Sequence, residues 1–353
     1  MVKLLRGNLL NAEAEALVNT VNSVGHMGKG VALQFKKAFP ENFLFYQKAC
    51  RAGEVRPGRM LVFETGSMLT PKYVINFPTK RHWRGPSRYE DIESGLDALI
   101  KEVKRRGVRS IALPPLGCGL GGLDWDRVRP MIEAAFAKVP DVEVMLFEPA
   151  GAPEPEEMPV RTHRPKMTVA RALFVKLMEQ YLQLDYRLTL LEIHKLAYFL
   201  QEAGEPLRLR YEGGHYGPYA ANLNKVLEAL EGHFTRGYGD SQKPDVEIEL
   251  LPGAVAEAER YLGNRPEVRD RLNRVGDVIA GFETPYGMEL LSSVHWVATH
   301  DSEPAADPEA AVRRIASWND RKRQMFKPEH VRVAWERLDS QKWIAHLSLK
   351  TQK

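Results

Sequence analysis

Two glycine-rich segments and a pair of asparagines carry the residue types that handle phosphates. Gly25-His26-Met27-Gly28-Lys29-Gly30-Val31-Ala32 and Pro114-Pro115-Leu116-Gly117-Cys118-Gly119-Leu120-Gly121-Gly122 space their glycines so that backbone amides can meet an anion without a Cβ in the way. Val18-Asn19-Thr20-Val21-Asn22-Ser23 sets Asn19 and Asn22 in an Asn-x-x-Asn step just before the first loop. A helix from about Val31 adds its positive end. Either loop alone is also compatible with a flexible turn. Together they suit the two phosphates of a nucleotide diphosphate, clamped from opposite sides. Neither loop has the G-x-x-x-x-G-K-[ST] spacing of an ATPase, nor the dinucleotide fingerprint with its following acidic residue. A third segment, Lys80-Arg81-His82-Trp83-Arg84-Gly85-Pro86-Ser87-Arg88-Tyr89, interleaves basic and aromatic residues. Arg81, Arg84 and Arg88 suit DNA phosphates, and His82, Trp83 or Tyr89 suit stacking on a base. The same stretch also reads as a polar loop whose tryptophan packs back on its domain.

The elements that must position these residues alternate between strand and helix. Strands are expected at Ala16-Leu17-Val18, at 60–63, at Tyr73–Phe77, at 110–113 and at 142–147. Helices are expected at 31–38, limited by Pro40, at 91–104 and at 128–136. This alternation predicts an α/β domain, a sheet sandwiched between helices, with ligands at the strand ends. Residues 148–166, EPAGAPEPEEMPVRTHRPK, are rich in proline and charge and read as a linker over 149–166.

The second domain, 167–353, reads as mainly α-helical. Helices are expected at 168–184, 190–203, 217–230, 268–282, 288–299, 309–325 and 329–347, with strand character only at 246–250 and 208–211. Thr189 with Glu192 has the spacing of a capping box.

Charge divides unevenly between the halves. Residues 1–148 hold 22 Lys and Arg against 16 Asp and Glu, whereas 149–353 hold 28 against 30. The first half therefore favours an anionic partner. The two cysteines make neither a disulfide framework nor a zinc cluster, and the histidines are scattered, so no metal site and no cofactor are expected. No run is long enough to span a membrane and no leader is apparent, which predicts a cytoplasmic protein.

Gly7-Asn8-Leu9, Ala16–Asn22, Gly28–Ala32 and Pro115–Leu120 together resemble the macrodomain family, closest to its DarG antitoxin branch. The resemblance covers residues 1–148 and is looser beyond. It implies an α/β macrodomain with a mixed sheet, followed by a toxin-binding domain. The implied activity is removal of ADP-ribose from thymidine bases of single-stranded DNA by N-glycosidic hydrolysis, alongside a DarT-like ADP-ribosyltransferase toxin as partner. A related branch releases ADP-ribose from acidic side chains of proteins, and a non-catalytic ADP-ribose-binding module is a further alternative.

Carried over residue by residue, the resemblance places Asn8 against the adenine amino group and Leu9 beside it. Asn22 falls against the distal ribose, with Asn19 nearby. Gly28, Lys29, Gly30 and Val31 line the ribose and diphosphate. Gly117, Cys118, Gly119, Leu120 and Gly121 form the second phosphate loop, Cys118 mainly through its backbone. Lys80, after the strand Tyr73–Phe77, takes the catalytic role together with Asn22, as a nucleophile on the anomeric carbon or as an acid toward the leaving thymine. The protein-directed branch has an aspartate where this chain has Gly121, which weakens that alternative and leaves Lys80 without an identified acid–base partner. Asp124 and Asp126 follow closely and also suit a helix cap. In the second half, Lys195–Phe199 and Tyr216-Gly217-Pro218-Tyr219 resemble a Lys-Leu-x-Tyr-Phe helix and a Gly-Pro element of a helical antitoxin domain, which implies toxin binding. Tyr216, Tyr219 and Trp296 are candidate anchors for it.

Overall fold

The computed structural model describes residues 2–67, 69–149, 158–182, 187–239 and 244–344. It divides into two compact units, Met1–Arg164 with Gly239–Gln242, and Pro165–Tyr238 with Lys243–Lys353. Of the expected linker, 150–157 lie outside the described residues. Closer to its end, Arg161 N–H donates to the Lys37 carbonyl at 2.8 Å, within the first unit.

The first unit is built on a six-stranded sheet. Its strands are β1 (Val2–Leu5), β2 (Ala16–Asn22), β3 (Leu61–Glu64), β4 (Tyr73–Lys80), β5 (Ser110–Leu113) and β6 (Glu143–Phe147). The order is β1-β6-β5-β2-β4-β3, parallel except for the antiparallel β3–β4 pair. Four helices cover it: α1 (Gly30–Ala38), α2 (Pro40–Arg51), α3 (Tyr89–Arg106) and α4 (Trp125–Phe136). β2 is buried along nearly its whole length, which its apolar residues at successive positions require of a central parallel strand.

α3 turns Ile92, Leu96, Leu99, Ile100 and Val103 inward, at i, i+4, i+7, i+8 and i+11, and packs them with Ile132 and Phe136 of α4 in one core. Each such fully buried side chain contributes roughly 1.5–3 kcal/mol. At Gly95 a Cβ would fall 2.2 Å from the Phe77 ring. Helix α3 therefore seats directly on β4, three residues from the strand's end. Gly107, left-handed at φ +62°, terminates α3.

Two elements differ from expectation here. β1 pairs with β6 at the sheet edge although its four residues carry little strand signal. Pro40 does not merely stop a helix: it occupies the first position of α2, where its missing N–H costs nothing.

The second unit is mainly helical, as expected, but several boundaries shift. Residues 217–219 form a hairpin strand with Glu212–Gly214, and the helix begins only at Leu223. Gly217, at φ +88°, lies so close to Ser293 that a Cβ would sit 2.7 Å from Oγ, which fixes an extended turn there. An additional helix spans Ala254–Leu262. The helix expected over 309–325 breaks at Asn319, whose side chain accepts from Lys322 N–H and starts a new turn. Expected strand 246–250 contributes only Glu249–Leu250 to a sheet, paired with Thr235–Arg236, and 208–211 is not a strand. Glu192 accepts from Thr189 N–H at 2.7 Å, as the capping-box spacing anticipates. The last described helix is Pro328–Ser340; residues 183–184 and 345–347 of the expected helices lie outside the described residues. Among the described residues, no helix is long and apolar enough to cross a membrane.

Candidate active site

The strand ends bring Asn22, Lys80 and both glycine-rich loops together. β2 and β4 run parallel in register from Ala16↔Tyr73 to Val21↔Pro78, then shift so that Asn22 faces Lys80. Past Asn76, β4 no longer pairs with β3, and Pro78 falls in this segment, where a missing donor is tolerated. Lys80 is thus the last residue of β4 rather than part of a following loop. Its Nζ donates to the carbonyl of Leu120 in the second glycine-rich loop. The Leu120 side chain in turn lies 3.5 Å from where a Cβ on Gly30 would stand. Partial burial holds the Lys80 ammonium below the usual lysine range. Among the described residues Lys80 has no carboxylate in ion-pair contact.

Asn22 is a fastener for the first loop. Its Oδ1 accepts from Val24 and His26 N–H at 3.0 and 3.3 Å, and its Nδ2 donates to the His26 carbonyl at 2.5 Å. The buried Tyr46 hydroxyl donates to the Asn22 carbonyl at 2.7 Å. The loop then passes Gly28 and Lys29 into α1 at Gly30, left-handed at φ +58°. Lys29 occupies the N-cap with extended backbone and supplies no side-chain cap; its carbonyl accepts from Leu33 N–H at 3.4 Å, and the Gly30 amide donates to the Gly239 carbonyl at 2.5 Å.

Asn19 does not join this group. It is fully buried, and its Nδ2 donates to Asn76 Oδ1 at 3.0 Å. Asn42 and Asn76 exchange bonds in the same cluster, at 2.7 and 3.2 Å. Where the sequence suggested a ligand contact, Asn19 makes a structural one, tying β2 and β4 to α2. Asn42 and Tyr46 are four apart on α2 and reach β4 and β2, through Asn76 and Asn22. Sequence reasoning missed both because α2 itself went unread.

In the second loop, the glycines differ in kind. A Cβ on Gly121 would lie 2.2 Å from the Gly117 carbonyl and 2.3 Å from Ser87 Oγ, and the Gly121 carbonyl accepts from Ser87 N–H at 2.9 Å. This backbone has no room for any side chain at 121, an aspartate included. Gly121 is buried, and its backbone helps hold the loop closed. Gly119 has nothing within 4 Å of its added Cβ. The Cys118 thiol is pushed up to about 11, first by burial and then by the charge of Asp124, so it is inert at neutral pH. Asp124 caps α4, accepting from Asp126 N–H at 3.0 Å, and Asp126 is exposed. We expect Gly121→Ala to lower stability by roughly 1–3 kcal/mol, the cost of forcing atoms into a packed site. The urea midpoint reads this, and an unchanged midpoint would contradict the close approach.

Asn8 and Leu9 form the turn after β1. Asn8 Oδ1 accepts from Leu10 N–H at 2.9 Å, and Leu9 is buried with Leu17 and with Phe35 of α1. The turn thus packs against the helix that carries the first loop.

In the basic–aromatic segment the tryptophan packs back on its own domain while the basic side chains stay at the surface. Trp83 stacks on His26 of the first loop, with ring centroids 5.5 Å apart at 16°, and on His82 at 27°. The Arg84 guanidinium lies 4.6 Å over the Trp83 ring. Arg81 is held by Asp91 through two bonds of 3.0 and 3.3 Å yet stays exposed, as do His82, Arg84 and Arg88.

In the second unit, Glu202, His295 and His300 come close enough to suggest a metal. His295 has both nitrogens engaged, with the Tyr198 hydroxyl at 2.7 Å and the Trp343 carbonyl at 3.1 Å, and burial lowers it to about 4. Its ring is a packing element. The two sequence elements singled out in this half meet: Lys195 Nζ donates to the Pro218 carbonyl at 2.7 Å. Tyr216 and Tyr219 are exposed, whereas Trp296 is half-buried.

Residues 18–132 match the Macro domain family. Over 339 residues the chain is 48% identical to the DNA ADP-ribosyl glycohydrolase of Thermus aquaticus, covering 96% of this chain and 93% of that protein. The chain belongs to the DNA ADP-ribosyl glycohydrolase family. A more distant glycohydrolase relative, 33% identical over 42% of each chain, is the DNA ADP-ribosyl transferase-DNA ADP-ribosyl glycohydrolase fusion protein of Thermosipho africanus. The solved macrodomain of Thermus aquaticus DarG is 55% identical and covers 42% of this chain and 99% of its own, with a TM-score of 0.41. In this member of the DNA ADP-ribosyl glycohydrolase family, Lys80, Asn22 and the two loops lie within the macrodomain.

Proposed function

We propose that residues 1–148 hydrolyse the N-glycosidic bond between ADP-ribose and thymidine bases of single-stranded DNA, and that residues 167–353 bind a DarT-like DNA ADP-ribosyltransferase. The carrying observation is the placement of Lys80, a half-buried cation at the end of β4, hydrogen-bonded to the Leu120 carbonyl and facing Asn22. The diphosphate sits between the loops around Gly28–Val31 and Gly117–Leu120, which sets the distal ribose near Asn22. As the bond from the ribose anomeric carbon to the thymine nitrogen breaks, the Lys80 ammonium donates a proton to the departing base. Water adds its hydroxyl to the anomeric carbon, and its proton restores the ammonium. Trp83, backed by His26, offers a base-stacking face, and Arg84 and Arg88 offer charge to the strand.

Hydrolysis of protein carboxylate esters is disfavoured by Gly121, where the backbone leaves no space for a partner acid. The membership of the chain, and the fusion of transferase to glycohydrolase in the Thermosipho relative, support a transferase partner. Exposed Tyr216 and Tyr219 suit the aromatic anchors that such an interface uses.

Two substrates offered side by side test the reading: a thymidine-ADP-ribosylated oligonucleotide and a glutamate-ADP-ribosylated protein. Turnover of the oligonucleotide is expected; turnover of the protein alone would overturn it. The division of labour has its own test. Residues 167–353 are expected to bind the transferase and reduce DNA modification without removing existing ADP-ribose. Residues 1–148 are expected to remove the mark without tight toxin binding. A folded second half that neither binds nor inhibits the toxin removes it from the antitoxin role.

A further inference from the structure

A groove of about 630 Å³ opens beside Lys80, lined by Ser23, Arg56, Arg81, Glu90, Asp91 and Ser94. It begins where β4 ends. Arg81 directly follows Lys80, and Ser23 Oγ donates to the Lys80 carbonyl at 3.4 Å. The groove is open to solvent, with a volume on the scale of a small organic group. Two guanidinium groups face two carboxylates, so the groove carries no excess charge, and the Arg81–Asp91 pair already neutralises half of it. A phosphate gains little there. A neutral heterocycle with donors and acceptors along its edge gains from both kinds of wall. Glu90 and Ser94, one turn apart on α3, present acceptors, and Arg56 presents donors from the facing turn. Nucleobase edges carry this mixture of donors and acceptors.

We propose that this groove holds the nucleobase next to the modified thymidine, hydrogen-bonded by Arg56 and Glu90, so that the enzyme grips the DNA strand as well as the ADP-ribose. The inference rests on the DNA reading above. It assigns the groove to substrate affinity rather than to bond cleavage, because Lys80 meets the groove only through its carbonyl, which accepts from Ser23 of the wall, while its Nζ turns to Leu120.

The test uses the full chain and two substrates: a thymidine-ADP-ribosylated oligonucleotide, and the same oligonucleotide with abasic sites flanking the modified thymidine. The abasic substrate is expected to show a KM about tenfold higher with kcat within about twofold, the scale of losing one hydrogen-bonded base contact. Arg56→Ala removes the donor and Ser94→Trp fills the groove. Each is expected to raise KM for the intact oligonucleotide by a similar factor and to add nothing on the abasic one. If the unmodified chain turns over both substrates with equal KM, or the variants raise KM equally on both, the groove assignment is overturned and the DNA reading stands. If the unmodified chain turns over neither, both are overturned.

Discussion

Lys80→Ala is expected to bind ADP-ribose as tightly as the unmodified chain and to lose at least about 10²-fold in turnover of a thymidine-ADP-ribosylated oligonucleotide, the scale of a missing proton-transfer group. That loss corresponds to about 2.7 kcal/mol of transition-state stabilisation. The separation of binding from turnover follows from position: Lys80 Nζ reaches one carbonyl of the second loop, while the loops themselves are held by Asn22, Tyr46 and Ser87. The pH profile distinguishes the two roles open to a lysine. An acid must be protonated, so kcat stays flat through neutral pH and falls as pH rises through the Lys80 pKa. Burial places that fall below the ordinary lysine value of about 10.4. A nucleophile must be neutral, so kcat would instead rise with pH to the same point. With no carboxylate paired to Lys80 among the described residues to take up its proton, the acid role is expected. Reductive trapping during turnover should leave Lys80 unlabelled; labelling at Lys80, or a rising alkaline limb, would reverse the assignment.

Gly119→Glu should abolish ADP-ribose binding in a folded protein. Nothing lies within 4 Å of a Cβ at this position, so the substitution meets no packing obstacle. The carboxylate would enter the anion-binding loop. Two like charges about 4 Å apart near a protein surface repel by about 4 kcal/mol, or roughly 10³-fold in affinity. Calorimetry with ADP-ribose and a thermal melt check the two halves of this expectation. Unchanged affinity with an unchanged melt would remove the second loop from the site. Gly121 stands in contrast two residues on: a Cβ meets open space at Gly119 and the loop's own backbone at Gly121.

Much of the sheet was legible because its strands are apolar and bounded by turns. The meeting of the glycine loops and Lys80 at the strand ends was legible, because their residue types mark them locally. What escaped depends on tertiary register. Asn19 and Asn22 look equivalent in sequence, yet only Asn22 sits at the strand shift that turns it onto the loop, while Asn19 is enclosed with Asn42 and Asn76. Pro40 carries the same letter whether it ends one helix or begins the next, and reading it as an end concealed Asn42 and Tyr46. Gly121 reads as a missing acid; only its 2.2 Å approach to the Gly117 carbonyl shows a steric requirement. The groove beside Lys80 joins residues 23, 56, 81 and 90–94, which no local pattern connects.

The most direct measurement follows one thymidine-ADP-ribosylated single-stranded oligonucleotide by intact mass during incubation with the full chain. The account predicts that the oligonucleotide loses one ADP-ribosyl unit, regains unmodified thymidine, and releases free ADP-ribose in equal amount, with no such change in the presence of the Lys80→Ala chain. An oligonucleotide that keeps its modification while the chain demonstrably binds ADP-ribose would contradict it.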